Sequence, residues 1–394
     1  MSEREVVIVS AVRTPIGAFG GSLSTLKASD LGSIVIKESL KRANLQPDDV
    51  SEVIMGQALT AAQGQNPARQ AAIKAGLPVS VPAYVVNMLC GSGLKAVTNG
   101  YLSIKAGENE VVVAGGQESM SQTPHAINLR NAVKMGNTEM IDTMIHDGLT
   151  DAFSNIHMGV TAENMAKKYK VTRQEQDEYA AKSHQKTEAA VECKRFDAEI
   201  VSVTVPTKKE SVVVSKDECP RAGLTAKDLT KLNPVFLKEN GTVTPGNACG
   251  INDGAAAVVL MSAKAAENKG LQALARIVAV AQTGVEPTLM GSGPISAIEL
   301  VLEKAKWSSE DVDVFEVNEA FAAQALACVR TLGLSRVKIN MNGGAIALGH
   351  PIGASGARIL VTLLHALEHS ECQKGVASLC IGGGMGIAIA VERL

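Results

Sequence analysis

"DDVSEVIMGQAL", residues 48–59, and "EDVDVFEVNEAF", residues 310–321, can be laid on one another without a gap, matching Asp49 with Asp311, Val50 with Val312 and Ala58 with Ala320. One such match is weak by itself. Beyond it, however, Cys90 follows Val50 and His350 follows Val312 at nearly the same distance. Each stands beside a glycine-rich turn that opens a helical pattern, "CGSGLKAV" and "HPIGASGARI", and each is followed by an apolar run ending in glycines, "EVVVAGG" and "GVASLCIGGG". A unit repeated once, with its copies packed about a pseudo-twofold axis, brings equivalent helix starts toward a common centre. The pattern therefore predicts a duplicated α/β unit, with Cys90 and His350 sharing one site.

Working outward, short apolar runs alternate with helical patterns: "EVVIVSAV", "ASDLGSIVIKESLKRA", "VSEVIMGQAL", "PARQAAIKAGL", "AYVVNMLC" and "SGLKAVTNGYLSIKAG". Alternation of this kind predicts a mostly parallel sheet covered by helices. Past Glu118 the rhythm breaks into polar loops and isolated helices, among them "TRQEQDEYAAKSHQKTEAAVE", which opens with a Thr172…Glu175 capping box. The alternation returns at "AAAVVLMS". The expected organisation is a first half of residues 1–118 plus 250–270, an inserted loop domain of residues 119–249, and a second half of residues 271–394.

A chain of 394 residues can bury large cores without staples. Its 38 basic and 40 acidic residues leave a net charge of −2 with no long run of one sign, so nothing in the overall field suggests nucleic acid or a membrane surface as partner. Seven cysteines scattered singly fit a reducing compartment and free thiols. The N-terminus "MSEREVVIVSAVR" lacks the pattern of a signal or transit peptide, no apolar run reaches the length of a membrane span, and "VERL" is not a peroxisomal address, so cytoplasm is the expected location.

Cys90 ends an apolar run at a helix start. A small buried hydrophobe is the plain reading of such a residue. The helix dipole and the flanking Gly91 and Gly93 argue instead for an accessible thiol with thiolate character, hence a nucleophile. "GSGLKA" also satisfies a dinucleotide-binding fingerprint, with Glu118 downstream as the ribose ligand, although it falls in the third strand–helix unit and leaves the repeat unexplained. His350, between glycines, is a candidate base for Cys90. "CIGGGMG" adds a second exposed thiol, Cys380, and backbone N–H groups suited to an oxyanion. Asn318 of "NEAFAA" offers an amide at a strand end. "HALEHSEC" places His365, His369 and Cys372 at zinc-like spacing on an ordinary amphipathic helix, and no metal is expected.

Taken together, "NMLCGSGLKAV", "VAGGQESMS", "GNACGINDGAAA", "NEAFA", "GGAIALGHPIGASGARI" and "CIGGGMG" resemble the thiolase family, in the family's order and over nearly the whole chain. The resemblance implies two βαβ-rich halves in a five-layered αβαβα core with an inserted loop domain. It implies reversible condensation of two acetyl-CoA to acetoacetyl-CoA plus CoA through an acetyl-cysteine, with coenzyme A thioesters as substrates and no cofactor. On it, Cys90 takes the acyl group, His350 activates it, and Cys380 exchanges the α-proton. Asn318 holds a water that with His350 stabilises one oxyanion, and the N–H groups of Cys90 and Gly382 stabilise the other. His157, Met158 and Met290 shorten the acyl pocket, while Leu149, Arg221, Phe236, Cys249, Ala320 and Phe321 line the coenzyme A channel. Cys249 stands where the family usually has serine, and Asp228 stands where serine is frequent near the nucleotide. The resemblance also implies a homo-oligomer, a tetramer, and leaves longer 3-ketoacyl-CoA substrates or a non-enzymatic CoA- or dinucleotide-binding module as alternatives.

Overall fold

The computed structural model describes residues 4–130 and 134–394. Seven elements follow in quick succession: β1 (Val6–Arg13), α1 (Ala28–Arg42), β2 (Glu52–Gly56), α2 (Pro67–Lys74), β3 (Ala83–Val86), α3 (Ser92–Ala106) and β4 (Val111–Ser119). Residues 120–251 carry α4 (Met158–Lys168), α5 (Arg173–Glu192) and short strand pairs between long loops. The chain then runs through β5 (Asn252–Ser262), β6 (Ala275–Gly284), α6 (Gly293–Ala305), β7 (Val314–Val317), α7 (Ala322–Thr331), α8 (Ile352–His369), β8 (Lys374–Ile381) and β9 (Met385–Arg393).

The duplication is visible down to its caps. Asp49 accepts a hydrogen bond from the Gln46 N–H at 2.8 Å, and its counterpart Asp311 accepts one from the Ser308 N–H at 2.8 Å. Both first strands carry a bulge at the same place, between Ile8 and Ser10 in β1 and between Ile277 and Ala279 in β6. The strand order β7-β8-β9-β6-β1-β5-β4-β2-β3 reads outward from a β6–β1 seam as two copies of one sequence of strands. The second copy lacks a full counterpart of β3, but a parallel bridge from Phe315 to Ile339 marks its place.

The expectation of a mostly parallel sheet is wrong. Among the labelled strands, β2·β3, β2·β4 and β7·β8 pair parallel, whereas β1·β5, β1·β6, β4·β5, β6·β9 and β8·β9 pair antiparallel. The cause is local: β8 and β9 are joined by a tight turn over residues 382–384, and β5 returns from the loop segment beside β4 in the opposite sense.

Period-two alternation sorts the side chains into layers. From β1, Val6 and Ile8 enter one core while Val7 and Val9 enter another, and from β9, Ile387, Ile389 and Val391 join the first core while Ala388 and Ala390 face a third. The shared core holds α3 and α8 between the two sheet halves, with α1 and α2 outside one half and α6 outside the other, giving five layers. In the middle layer the helices meet almost backbone to backbone. A Cβ on Gly93 would lie 2.8 Å from the Ala357 nitrogen, and one on Gly356 would lie 2.4 Å from the Leu94 nitrogen. Gly356→Ala is therefore expected to destabilise by about 1–3 kcal/mol, read as a lower urea midpoint at unchanged m-value. An unmoved midpoint would mean that the two helices part without cost.

The loop segment is fastened by buried polar groups. Arg13, fully buried at the end of β1, pairs with Glu199 at 2.5 Å and Asp217 at 2.7 Å. Helix α5 buries Asp177, Ser183 and Thr187, and Ser183 donates to the Glu319 carboxylate at 2.6 Å. Among the described residues no helix is long and apolar enough to cross a membrane.

Candidate active site

Cys90 lies in the single 3-10 turn Leu89–Gly91 that leads into α3, beyond the end of β3 at Val86 rather than on the strand itself. The expected thiolate character does not hold in the resting site. Burial pushes the Cys90 thiol up to about 11, and the Glu118 carboxylate adds to the rise, against partial relief from the N–H groups of Gly382 and of Cys90 itself.

His350 precedes α8 as Cys90 precedes α3. It is buried, and desolvation, helped by the Arg358 charge, pushes it down to about 3, so the ring is neutral. Its backbone N–H donates to Asn252 Oδ1 at 2.8 Å. Ser355 donates its hydroxyl hydrogen to the Pro351 carbonyl at 2.9 Å, so its Oγ accepts from His350 Nδ1–H at 2.5 Å and Nε2 holds the lone pair. Nε2 is buried without a partner, as is Asn318 Oδ1, whose amide nitrogen sits 3.5 Å from His350 Nδ1. Two unpartnered buried polar atoms on neighbouring side chains call for a ligand or a water.

Cys380, expected to be exposed, is buried at the end of β8 with 1% exposure. Burial raises its thiol well above the ordinary value, and the neighbouring thiols Cys90, Cys328 and Cys249 act in the same direction.

One cavity of about 290 Å³ takes in Cys90, His350 and Cys380 together with Leu149, His157, Met158, Phe236, Cys249, Met290, Ala320 and Phe321. Met158, Met290, Ala320 and Phe321 form an apolar cluster with Cys380. His157 stacks on Phe236 with ring centroids 4.8 Å apart, and its Nδ1 accepts from the Gly159 N–H at 3.0 Å. Cys249 donates its backbone N–H to the Ala320 carbonyl at 3.0 Å. Gly382 and Asn318 stand behind the lining, touching it through Cys90 and His350.

Arg221 is not in this wall. It borders an adjoining cavity of about 280 Å³ with His184, Glu218 and Cys219, which shares Pro245, Ala248 and Gly250 with the first. Asp228 directs its carboxylate to the Thr225 hydroxyl at 2.6 Å and lies 3.7 Å from Lys231. The dinucleotide reading fails on contact. The glycine face of α3 is covered by α8, and the Glu118 carboxylate accepts from the N–H groups of Ala58, Leu59 and Gly353, so it is not free for a ribose. His365 turns its Nε2 to the Ala11 carbonyl at 3.2 Å.

Sequence reasoning missed Met120, Ile145, Gly148, Val235, Ala248, Ile251 and Ile352 in the lining, and Ser355 behind His350. Ser355 could have been found one helical turn beyond Pro351. Ile145 and Gly148 sit in a π-helical turn, Met144–Leu149, that no periodicity announces.

Residues 6–264 match the family model for the thiolase N-terminal domain and residues 271–393 that for the thiolase C-terminal domain. The chain is 56% identical over 391 residues to an acetyl-CoA acetyltransferase of Cupriavidus necator, covering 99% of each chain. It is 56% identical over 389 residues to the cytosolic acetyl-CoA acetyltransferase of Rattus norvegicus, covering 98% of each. A crystal structure of the Bacillus anthracis acetyl-CoA acetyltransferase superposes with a TM-score of 0.98 at 47% identity, covering 100% of this chain and 99% of that one.

Proposed function

The chain belongs to the thiolase family, and from that premise we propose that it is an acetyl-CoA C-acetyltransferase, joining two acetyl-CoA into acetoacetyl-CoA and CoA, reversibly. The observation that carries the reading is the one cavity lined by three thiols, Cys90, Cys249 and Cys380, and by a neutral histidine whose lone-pair nitrogen has no other partner. At about 290 Å³ the cavity is at the small end of ligand sites. That size, with Met158 and Met290 in the wall, favours an acetyl or acetoacetyl group over longer 3-ketoacyl chains.

Cys90 attacks the thioester carbonyl while His350 Nε2 takes its proton and passes it to the departing CoA thiolate. The N–H groups of Cys90 and Gly382 hold the oxyanion, and an acetyl-cysteine remains. Cys380 then gives its proton to His350 and removes the α-proton of the second acetyl-CoA. Burial makes this thiolate a strong base, as a weakly acidic carbon requires. A water on Asn318 and protonated His350 stabilise the enolate oxygen. The enolate carbon attacks the acetyl carbonyl, the Cys90 thiolate leaves, and His350 gives that thiolate its proton, while Cys380 keeps the α-proton it removed.

Leu149, Phe236, Cys249, Ala320 and Phe321 would guide the pantetheine arm, with Arg221 toward the nucleotide end, while His157 would stand with Met158 and Met290 at the acyl pocket. We take residues 119–249 as the domain that carries most of this channel, the rest belonging to the two halves. No further cofactor enters the scheme. The exposed apolar side chains Leu129, Met140 and Ile141 on the same segment support a homo-oligomer, a tetramer by the family resemblance, which sedimentation tests directly. A cytoplasmic location is supported by the cytosolic rat relative.

Acetyl-CoA should leave acetyl-Cys90, found by mass spectrometry after digestion. The histidine's part shows in the pH dependence. A thiol with a pKa near 11 gains thiolate tenfold per unit as pH rises toward that value. In His350→Asn the acetylation rate should fall by about 10²-fold and climb roughly tenfold per pH unit, whereas the unaltered protein stays nearly flat between about pH 6 and 9. A flat profile in the variant would take the base role from His350.

A further inference from the structure

Leu89, directly before Cys90, has φ +48°, and among the described residues it is the one branched apolar side chain in the left-handed region. Such a conformation in a bulky residue persists only where neighbours enforce it, and points to a function. Many of the other non-glycine residues at positive φ follow helix ends, as Asn44, Lys170 and Lys194 do, where this backbone conformation is ordinary. Leu89 instead precedes a helix.

The neighbours that enforce it are two side chains. Asn87 Oδ1 accepts from the Leu89 N–H at 3.0 Å, while its amide nitrogen donates to the Ala58 carbonyl at 3.2 Å and so ties it to the end of β2. Ser92 donates its hydroxyl to the Leu89 carbonyl at 2.7 Å and accepts from the Met88 N–H at 2.8 Å. Both peptide groups of Leu89 are thus gripped from residues on either side of Cys90. The left-handed turn also packs Leu89 against Gly382, where an added Cβ would meet Leu89 Cδ1 at 3.0 Å, and the Gly382 N–H is bonded to Cys90.

We propose that Asn87 and Ser92 are positioning residues that hold Leu89 left-handed, and that this turn aims the Cys90 thiol at the thioester carbonyl and seats it against the Gly382 N–H. The proposal rests on Cys90 being the acyl acceptor. Misplacement of a reacting atom by about 1 Å can cost on the order of 10²-fold. Releasing one of two clamps should cost less.

Rescue provides the test. Asn87→Ala is expected to slow Cys90 acetylation by acetyl-CoA about 10- to 30-fold at unchanged KM. Adding Leu89→Gly, which accepts positive φ freely, or Leu89→Asn, which tolerates it at similar size, should restore most of that loss. Alkylation of Cys90 by iodoacetamide in the same variants gives a readout that needs no CoA, with circular dichroism confirming the fold. Failure of both second substitutions to restore either rate would overturn the clamp, as would an Asn87→Ala rate equal to that of the unaltered protein, or a loss confined to KM. If the unaltered protein forms no acetyl-Cys90, the acyl-acceptor reading falls, while the alkylation rates still judge whether the clamp sets the thiol's position.

Discussion

Cys90→Ser is expected to lower thiolysis and condensation alike by on the order of 10⁴-fold or more, with folded stability and CoA binding retained. The change replaces one atom in a turn whose backbone is held by Asn87 and Ser92, so the geometry survives. What is lost is the proton's readiness to leave. Even with its pKa lifted to about 11, the thiol gives His350 a proton far more easily than a hydroxyl does, and the sulfur is the better nucleophile toward a thioester. Turnover can be followed through the acetoacetyl-CoA absorbance, and CoA affinity by calorimetry. Residual activity within tenfold of the unaltered protein, after contaminating enzyme has been excluded, would remove Cys90 from the nucleophile's role.

Cys380→Ala should separate the two halves of the reaction. On the proposed scheme acetylation of Cys90 uses only Cys90, His350 and the oxyanion donors, so mass spectrometry should find acetyl-Cys90 forming at close to the usual rate. Carbon–carbon bond formation needs a base at the α-carbon and should fall by about 10³-fold. Truncation to alanine leaves a small void beside Met158, Met290 and Phe321, which water or substrate can fill without disturbing the first step. Equal loss of both half-reactions would show that the roles are divided wrongly.

The repeat was legible because its punctuation is local: Asp49 and Asp311 cap equivalent turns, and the glycines beside Cys90 and His350 mark equivalent helix starts. The sense of strand pairing was not. An apolar run reads the same whether its neighbour is parallel or antiparallel, so the return of β5 and β9 left no trace in the pattern. For the site, the residue types pointed to Cys90, His350 and Cys380, and their meeting in one cavity follows from the fold symmetry. Their protonation states could not be read, because desolvation depends on what packs around a thiol rather than on the turn that carries it. The helix dipole argued for a thiolate at Cys90 and burial argued more strongly against it. Glu118 misled for a related reason: only packing reveals that its carboxylate is spent on three backbone amides.

The place of β1 in the sheet bears on how the chain must be made. The strand β1 is synthesised well before its ladder partners, which lie in β5, from Ala256 to Ser262, and in β6, at Ala275 and Arg276. Its alternating apolar faces therefore stay without their sheet until residue 262 has emerged, long after α1, β2 and α3 are available to collapse on one another. Pairing over such separations is slow to form, and an unpaired apolar strand is an adhesive edge. During synthesis the chain thus carries an apolar strand unpaired until β5 has emerged. The seam between the two halves of the sheet is thus among its last parts to close.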